Sequence, residues 1–248
     1  MFTILYLFNT HMLGDFIFQS NKMVESKNNE NLKSFFKHGL YMICLNLPLI
    51  LIYEIKEWFI LNMIIYMTHI LIDYSKVKLE KKDKGVKNKV ILFIFDQFLH
   101  IIIILLLTKL IKFKISAFGK LIIDFLGVSN LNIQIINKYL WLSFILINVV
   151  FLGGKLIGII LKDLKPKNYE NIIKHGIIIG QLERMLIFLL LLFGNYTGIT
   201  VIIGLKTLTR FKGIGEDKEF AEYYLIGTLL SIVICLIGFG VYLFPRLM

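Results

Sequence analysis

The apolar runs of this chain are too long for a soluble core to absorb, and that restricts the fold more than any other feature. Several approach or exceed the roughly 18–20 residues needed to cross a bilayer. The stretch around residues 101–107, IIIILLL, is the clearest. Alternating strand patterns are absent, so helices are expected rather than a barrel. The spacing predicts eight main helices, about 2–20, 32–54, 57–76, 89–110, 137–161, 171–194, 197–211 and 220–244. The first has neither a basic leader nor a small-residue cleavage site, and is expected to be a retained helix. A weaker segment at about 115–127 suits a helix lying at the interface. The expected fold is all-α, a polytopic transmembrane helical bundle. Residues 1–114 would form an N-terminal four-helix up-down bundle. Residues 115–136 would be interfacial segment and linker, and 137–248 the C-terminal transmembrane helices.

The formal net charge is +11. In a polytopic protein such an excess belongs to cytoplasmic-loop lysines, so membrane lipids are the expected partners and no specific nucleic acid is implied. The lysines after the first, third, fifth and seventh helices fall on one side if the helices alternate, with the densest run between Lys76 and Lys89. The positive-inside rule makes that side cytoplasmic and puts the N-terminus outside. Lys109, Lys112 and Lys114 run against the pattern. Cys44 and Cys235 are far apart in apolar segments, with no ligand spacing, and are expected to be buried thiols.

Against this background, three His–Asp pairs stand out. They are His11–Asp15, His69–Asp73 and Asp96–His100, and His38 opens another apolar segment. A spacing of four stacks two side chains on one helix face. Ionisable groups inside a span are costly and usually functional. The order is His then Asp in the first and third helices, and Asp then His in the fourth. With alternating helices, that reversal puts Asp nearer the cytoplasm and His deeper in all three, with the six residues roughly 5–18 Å in. One pair alone would be read as a structural hydrogen bond; three pairs with His38 favour a metal site built between helices. The expected ligands are His11, Asp15, His38, His69, Asp73, Asp96 and His100. Seven ligands exceed the three of one catalytic zinc and suit two divalent ions, zinc first, with manganese, iron or magnesium as other fits. Asp15, Asp73 and Asp96 are the candidate catalytic carboxylates, and Gln19 and Gln97 flank the set.

The C-terminal half carries a second polar set, Glu183, Arg184, Lys206, Arg210 and Glu222. The plain expectation is mutual pairing that locks helix packing. The functional alternative is a cationic cradle for a phosphate or headgroup, with Arg184, Lys206 and Arg210 as substrate-binding donors. His175 stands apart at a helix start.

The segments HMLGDFIFQ (11–19), Lys37–His38, HILIDY (69–74) and DQFLH (96–100) resemble the bacterial domain-of-unknown-function family numbered 3307. GQLER (180–184), KTLTRF (206–211) and AEYYLIGTLLS (221–231) are similar to it as well. The resemblance implies a multi-pass protein of a bacterial inner membrane and carries no established activity. More distantly, the His–Asp pattern is similar to membrane-bound metal-dependent hydrolases, and to zinc-dependent phospholipase C and single-strand nucleases. That likeness favours phosphoester hydrolysis by analogy alone. The expected function is therefore a metal-dependent hydrolase near the cytoplasmic face, acting on a phosphoester of a lipid or lipid-linked substrate. A divalent-cation or proton transporter is the alternative, and a non-catalytic membrane scaffold the third reading.

Overall fold

The structure is a computed structural model that describes residues 1–82, 85–128, 130–164 and 170–247. The described residues are helical, apart from turns and one isolated antiparallel bridge between Tyr53 and Ile115. The protein is an all-α, multi-pass membrane bundle. Among the described residues, five helical stretches are long and apolar enough to cross a bilayer: Leu32–Leu51, Ile55–Lys82, Val86–Leu110, Asn132–Leu164 and Lys218–Phe244. The chain forms two compact units, Met1–Phe144 and Ile145–Met248.

In the first unit, α1 (Phe2–Leu13) runs directly into a π-helical turn, Gly14–Phe18, and stops at Gln19, whose backbone is extended. The segment after it, expected to be loop, is a short helix, α2 (Asn21–Asn28), capped by Ser20. Then come α3 (Leu32–Leu45), α4 (Ile55–Lys82) and α5 (Val86–Leu110). α1 packs against α3 and α5, and α4 packs against the same two. α2 lies on α3 and α4.

α4 and α5 are nearly joined, so most of the basic segment 76–89 is helical. The helix expected to end near residue 76 runs on to Lys82, and two lysines of that extension have carboxylate partners, Lys76 on Asp96 and Lys81 on Glu30. Lys84, Lys165 and Lys167 lie outside the described residues, as do the side chains of Lys174, His175 and Lys212.

The first unit is arranged inside out. On α5, Asp96, Gln97 and His100 are buried while Ile94, Phe95 and Phe98 are more than half exposed. On α4, His69 and Asp73 are buried while Met67 and Leu71 face outward. That is the pattern of spans whose apolar surface meets lipid and whose polar groups meet each other. A conventional apolar core of Leu5, Leu7, Phe8, Leu49, Leu61, Ile104 and Leu107 closes the other end. Asn9 ties α1 to α7 (Asn130–Ile147): its amide donates to the Leu140 carbonyl at 2.9 Å and its oxygen accepts from Ser143. Cys235 is buried as expected, but Cys44 is exposed on α3.

The expected interfacial segment forms α6 (Ala117–Phe125). The chain leading into it pairs with residues 52–54, through Glu54 N–H to the Lys114 carbonyl and Ser116 N–H to the Ile52 carbonyl. Gly119 then rests on that same carbonyl: a Cβ there would lie 2.2 Å from the Ile52 oxygen. Backbone cannot give way as a side-chain tip can. Gly119→Ala is expected to cost about 1–3 kcal/mol, read as a lower melting temperature of the detergent-solubilised protein. An unchanged melting temperature would show that α6 shifts freely.

The second unit contains α8 (Gly153–Ile160), α9 (Glu170–Leu192), α10 (Tyr196–Glu216) and α11 (Lys218–Leu247). A second π-helical turn, Asn148–Leu152, precedes α8. α11 packs against α8, α9 and α10.

Candidate metal centre

Helical periodicity delivers the site. A spacing of four places His69 and Asp73 on one face of α4, and Asp96 and His100 on one face of α5. α1 supplies His11, its π-helical turn Asp15, and α3 His38. π-Turns are rare and recur at functional sites. All seven residues are buried, from His38 at 0% exposure to Asp73 at 9%. Gly14 allows the close approach: a Cβ there would sit 2.3 Å from Met42 Sδ on α3.

The four imidazoles converge. Ring centroids lie 4.4 Å apart for His69–His100, 4.6 Å for His11–His100 and 4.8 Å for His38–His69. The carboxylates lie among them. His11 Nε2 is 3.8 Å from Asp15, and His69 Nε2 is 3.5 Å from Asp15 and 3.6 Å from Asp73. A tetrahedral zinc with bonds of ~2.1 Å has ligand-to-ligand edges of about 3.4 Å. These separations are close to that, so side-chain adjustment alone would close a shell. Three groups of ligand atoms satisfy such proximity: His11, Asp15 and His69; His38, His69 and Asp73; Asp73, Asp96 and His100. His69 belongs to the first two groups and Asp73 to the last two.

Hydrogen bonding tests the fit. His100 Nδ1 lies 2.8 Å from the Asp96 carbonyl. A carbonyl only accepts, so Nδ1 carries the proton and Nε2 presents a lone pair. Among the described residues, that Nε2 has no hydrogen-bond partner, nor do His11 Nε2, His69 Nε2 and Asp96 Oδ1, although all are buried. Buried polar atoms are seldom left so. Imidazole nitrogens and a carboxylate oxygen gathered in this way from separate helices are groups that a cation can satisfy. A cavity of about 20 Å³ borders His11, His69 and His100, enough for one water. His38 differs: its Nε2 is 3.0 Å from Asp15 Oδ1. To ligate through Nε2 it would have to move that proton to Nδ1.

Two lysines that were not among the expected site residues also belong to this cluster. Lys27 of α2, 4% exposed, donates to Asp73 Oδ2, and Lys76 donates to Asp96 Oδ2 at 2.9 Å. Both were read as loop charge. For Lys76 a signal existed: it stands three residues beyond Asp73 and seven beyond His69, on the same helix face. For Lys27 none did, since its partner lies 46 positions away. The two glutamines do touch the site. Gln97 Nε2 donates to Asp15 at 3.2 Å and Asp96 at 3.0 Å. The Gln19 amide is satisfied with its oxygen 2.6 Å from Lys27 Nζ and its nitrogen 3.3 Å from the Asp15 carbonyl.

The C-terminal polar set sits entirely in the second unit. Lys206 pairs with Glu183 at 2.5 Å. Arg184 is used by the backbone instead. Its Nε and Nη2 donate to the Val149 and Val150 carbonyls at 2.7–3.2 Å, inside the second π-helical turn. Arg210 lines a cavity with Lys206 and Arg184. Glu222, expected as a pairing partner, forms no ion pair among the described residues.

Residues 2–125 match the family described as Protein of unknown function (DUF3307). The chain belongs to that family. The match covers the whole candidate ligand set from His11 to His100. No curated protein and no solved structure matches the chain. The likeness to metal-dependent hydrolases therefore stands on the His–Asp pattern alone. As a DUF3307 member, the protein is a multi-pass membrane protein whose buried His/Asp clusters are capable of coordinating a metal.

Proposed function

We propose that this DUF3307 protein is a membrane-embedded metal-dependent hydrolase acting on a phosphoester of a lipid or lipid-linked substrate. In this reading it sits in a bacterial inner membrane with its site toward the cytoplasmic face. The observation that carries the metal is the set of three buried, unpartnered imidazole Nε2 atoms on three helices. Zinc suits such a nitrogen-rich set best. A bound divalent ion would polarise a phosphoryl oxygen and acidify a water.

Charge balance favours one resident ion. Three carboxylates (Asp15, Asp73, Asp96) face two ammonium groups (Lys27, Lys76), leaving −1 with neutral imidazoles. A buried unbalanced charge is expensive, and one divalent ion with a bound anion compensates it. His11, Asp15 and His69 hold that ion most directly, because no lysine occupies them. A second ion would need Lys27 or Lys76 to leave its aspartate. Asp96, with Oδ1 unpartnered, is then the carboxylate placed to accept a proton.

The test is phosphoesterase activity of the purified protein in liposomes. Chelation should abolish it and zinc restore it. Asp96→Asn should lose at least about a hundredfold in turnover, as general-base loss does, while retaining about one ion per chain. Metal binding without hydrolysis of any lipid or lipid-linked phosphoester would remove the enzyme reading.

A proton or cation transporter has support of its own. His38, Asp15, Gln97, Asp96 and Lys76 form an unbroken polar chain with links of 2.9–3.2 Å. His and Asp groups inside a span also serve in proton relays. Flux in sealed liposomes without hydrolysis would select it.

A further inference from the structure

The second unit contains a cavity of about 480 Å³ between α8, α9, α10 and α11. That is within the roughly 300–1,000 Å³ of ligand sites. Its walls combine apolar side chains such as Ile157, Ile202 and Leu205 with a cationic end at Lys206 and Arg210. The space exists because glycine stands at five wall positions, and at Gly158 and Gly176 even a built Cβ would meet nothing within 4 Å.

The cations of this cavity are not equivalent. Arg184 is committed to the Val149 and Val150 carbonyls. Lys206 is held by Glu183 and lies over the Tyr224 ring. Arg210 has no carboxylate partner among the described residues. A guanidinium lining an apolar cavity favours an anion that accepts two parallel hydrogen bonds, and phosphate does so. Depth agrees. Arg210 lies in the last two turns of α10, followed closely by the charged run Glu216–Asp217–Lys218, as at a membrane surface. The apolar remainder of the cavity suits a hydrocarbon chain.

We propose that this cavity binds a phosphate-bearing amphiphile, its phosphate on Arg210 with Lys206 beside it, and its chain along the glycine-lined wall. Arg184 shapes the wall and does not hold the ligand. The inference names the substrate class of the proposed reaction, yet it stands apart from the metal. Lipid binding in chelator tests it, and metal content is unaffected by its failure.

The experiment is native mass spectrometry of the full chain in detergent with added chelator. The probes are phosphatidic acid, a polyprenyl monophosphate, and phosphatidylcholine as the lipid without a phosphomonoester. One or both monophosphates should be retained at least about tenfold better than phosphatidylcholine, the size of a charge-assisted contact. Phosphatidic acid would identify a bilayer lipid as the source, and the polyprenyl probe a lipid-linked carrier. Arg210→Gln should erase the preference. Gly158→Leu, which leaves every charge in place, should lower retention of all three by filling the chain site. Equal retention of phosphatidylcholine, or unchanged retention in both variants, would overturn the proposal. Should Arg210→Gln fail to insert, the lipid preference and Gly158→Leu decide between the same outcomes.

Discussion

Replacing His69 by alanine is expected to strip metal from the purified protein, and no other single change should do so more completely. His69 belongs to two of the three ligand groups. It is 1% exposed and touches the rings of His11, His38 and His100. Loss of an outer partner of a metal ligand costs about 10–100-fold in affinity; loss of the ligand itself should exceed that. Stability follows by linkage, because a ligand that binds only the folded state adds about 2.7 kcal/mol at a hundred times its dissociation constant. Elemental analysis reads the first effect and thermal melting the second. The melting gap between variant and wild type should largely close in chelator, where neither holds metal. A gap that persists in chelator would assign His69 to packing, and full metal content in the variant would remove the site as drawn.

The second large effect is expected at Arg184. Its guanidinium donates to the Val149 and Val150 carbonyls within the π-helical turn Asn148–Leu152, and it is 4% exposed. Arg184→Ala would remove charge-assisted hydrogen bonds to two carbonyls of a buried turn. The expected cost is about 3–5 kcal/mol, read as early melting and protease sensitivity of the C-terminal half. Metal content of the N-terminal half should survive. A variant that melts normally and loses only lipid retention would return Arg184 to the ligand.

Much of the candidate site was legible because helices have a period. His69–Asp73 and Asp96–His100 had to share faces once α4 and α5 were helical, and a polar face within an apolar span must turn inward. The boundaries of α4 and α5 were less legible. Lysines 76 to 82 look like loop until it is known that Lys76 and Lys81 have carboxylates to meet. The π-helical turn at Asp15 was not legible either, since α and π windings share the same local residue preferences and Gly14 meets Met42 of another helix only in the folded chain.

The sequence by itself determined that this chain is a multi-pass helical membrane protein with histidines and aspartates turned inward, because apolar length and helical period are local properties. Only the tertiary structure decided who meets whom. Lys27 reaches Asp73 across 46 positions, and Arg184 reaches the carbonyls of Val149 and Val150 rather than a carboxylate. The reason is physical: a buried charge takes whichever compensating group the packing brings within about 3 Å. Residue type sets the need for a partner, and helix packing chooses it.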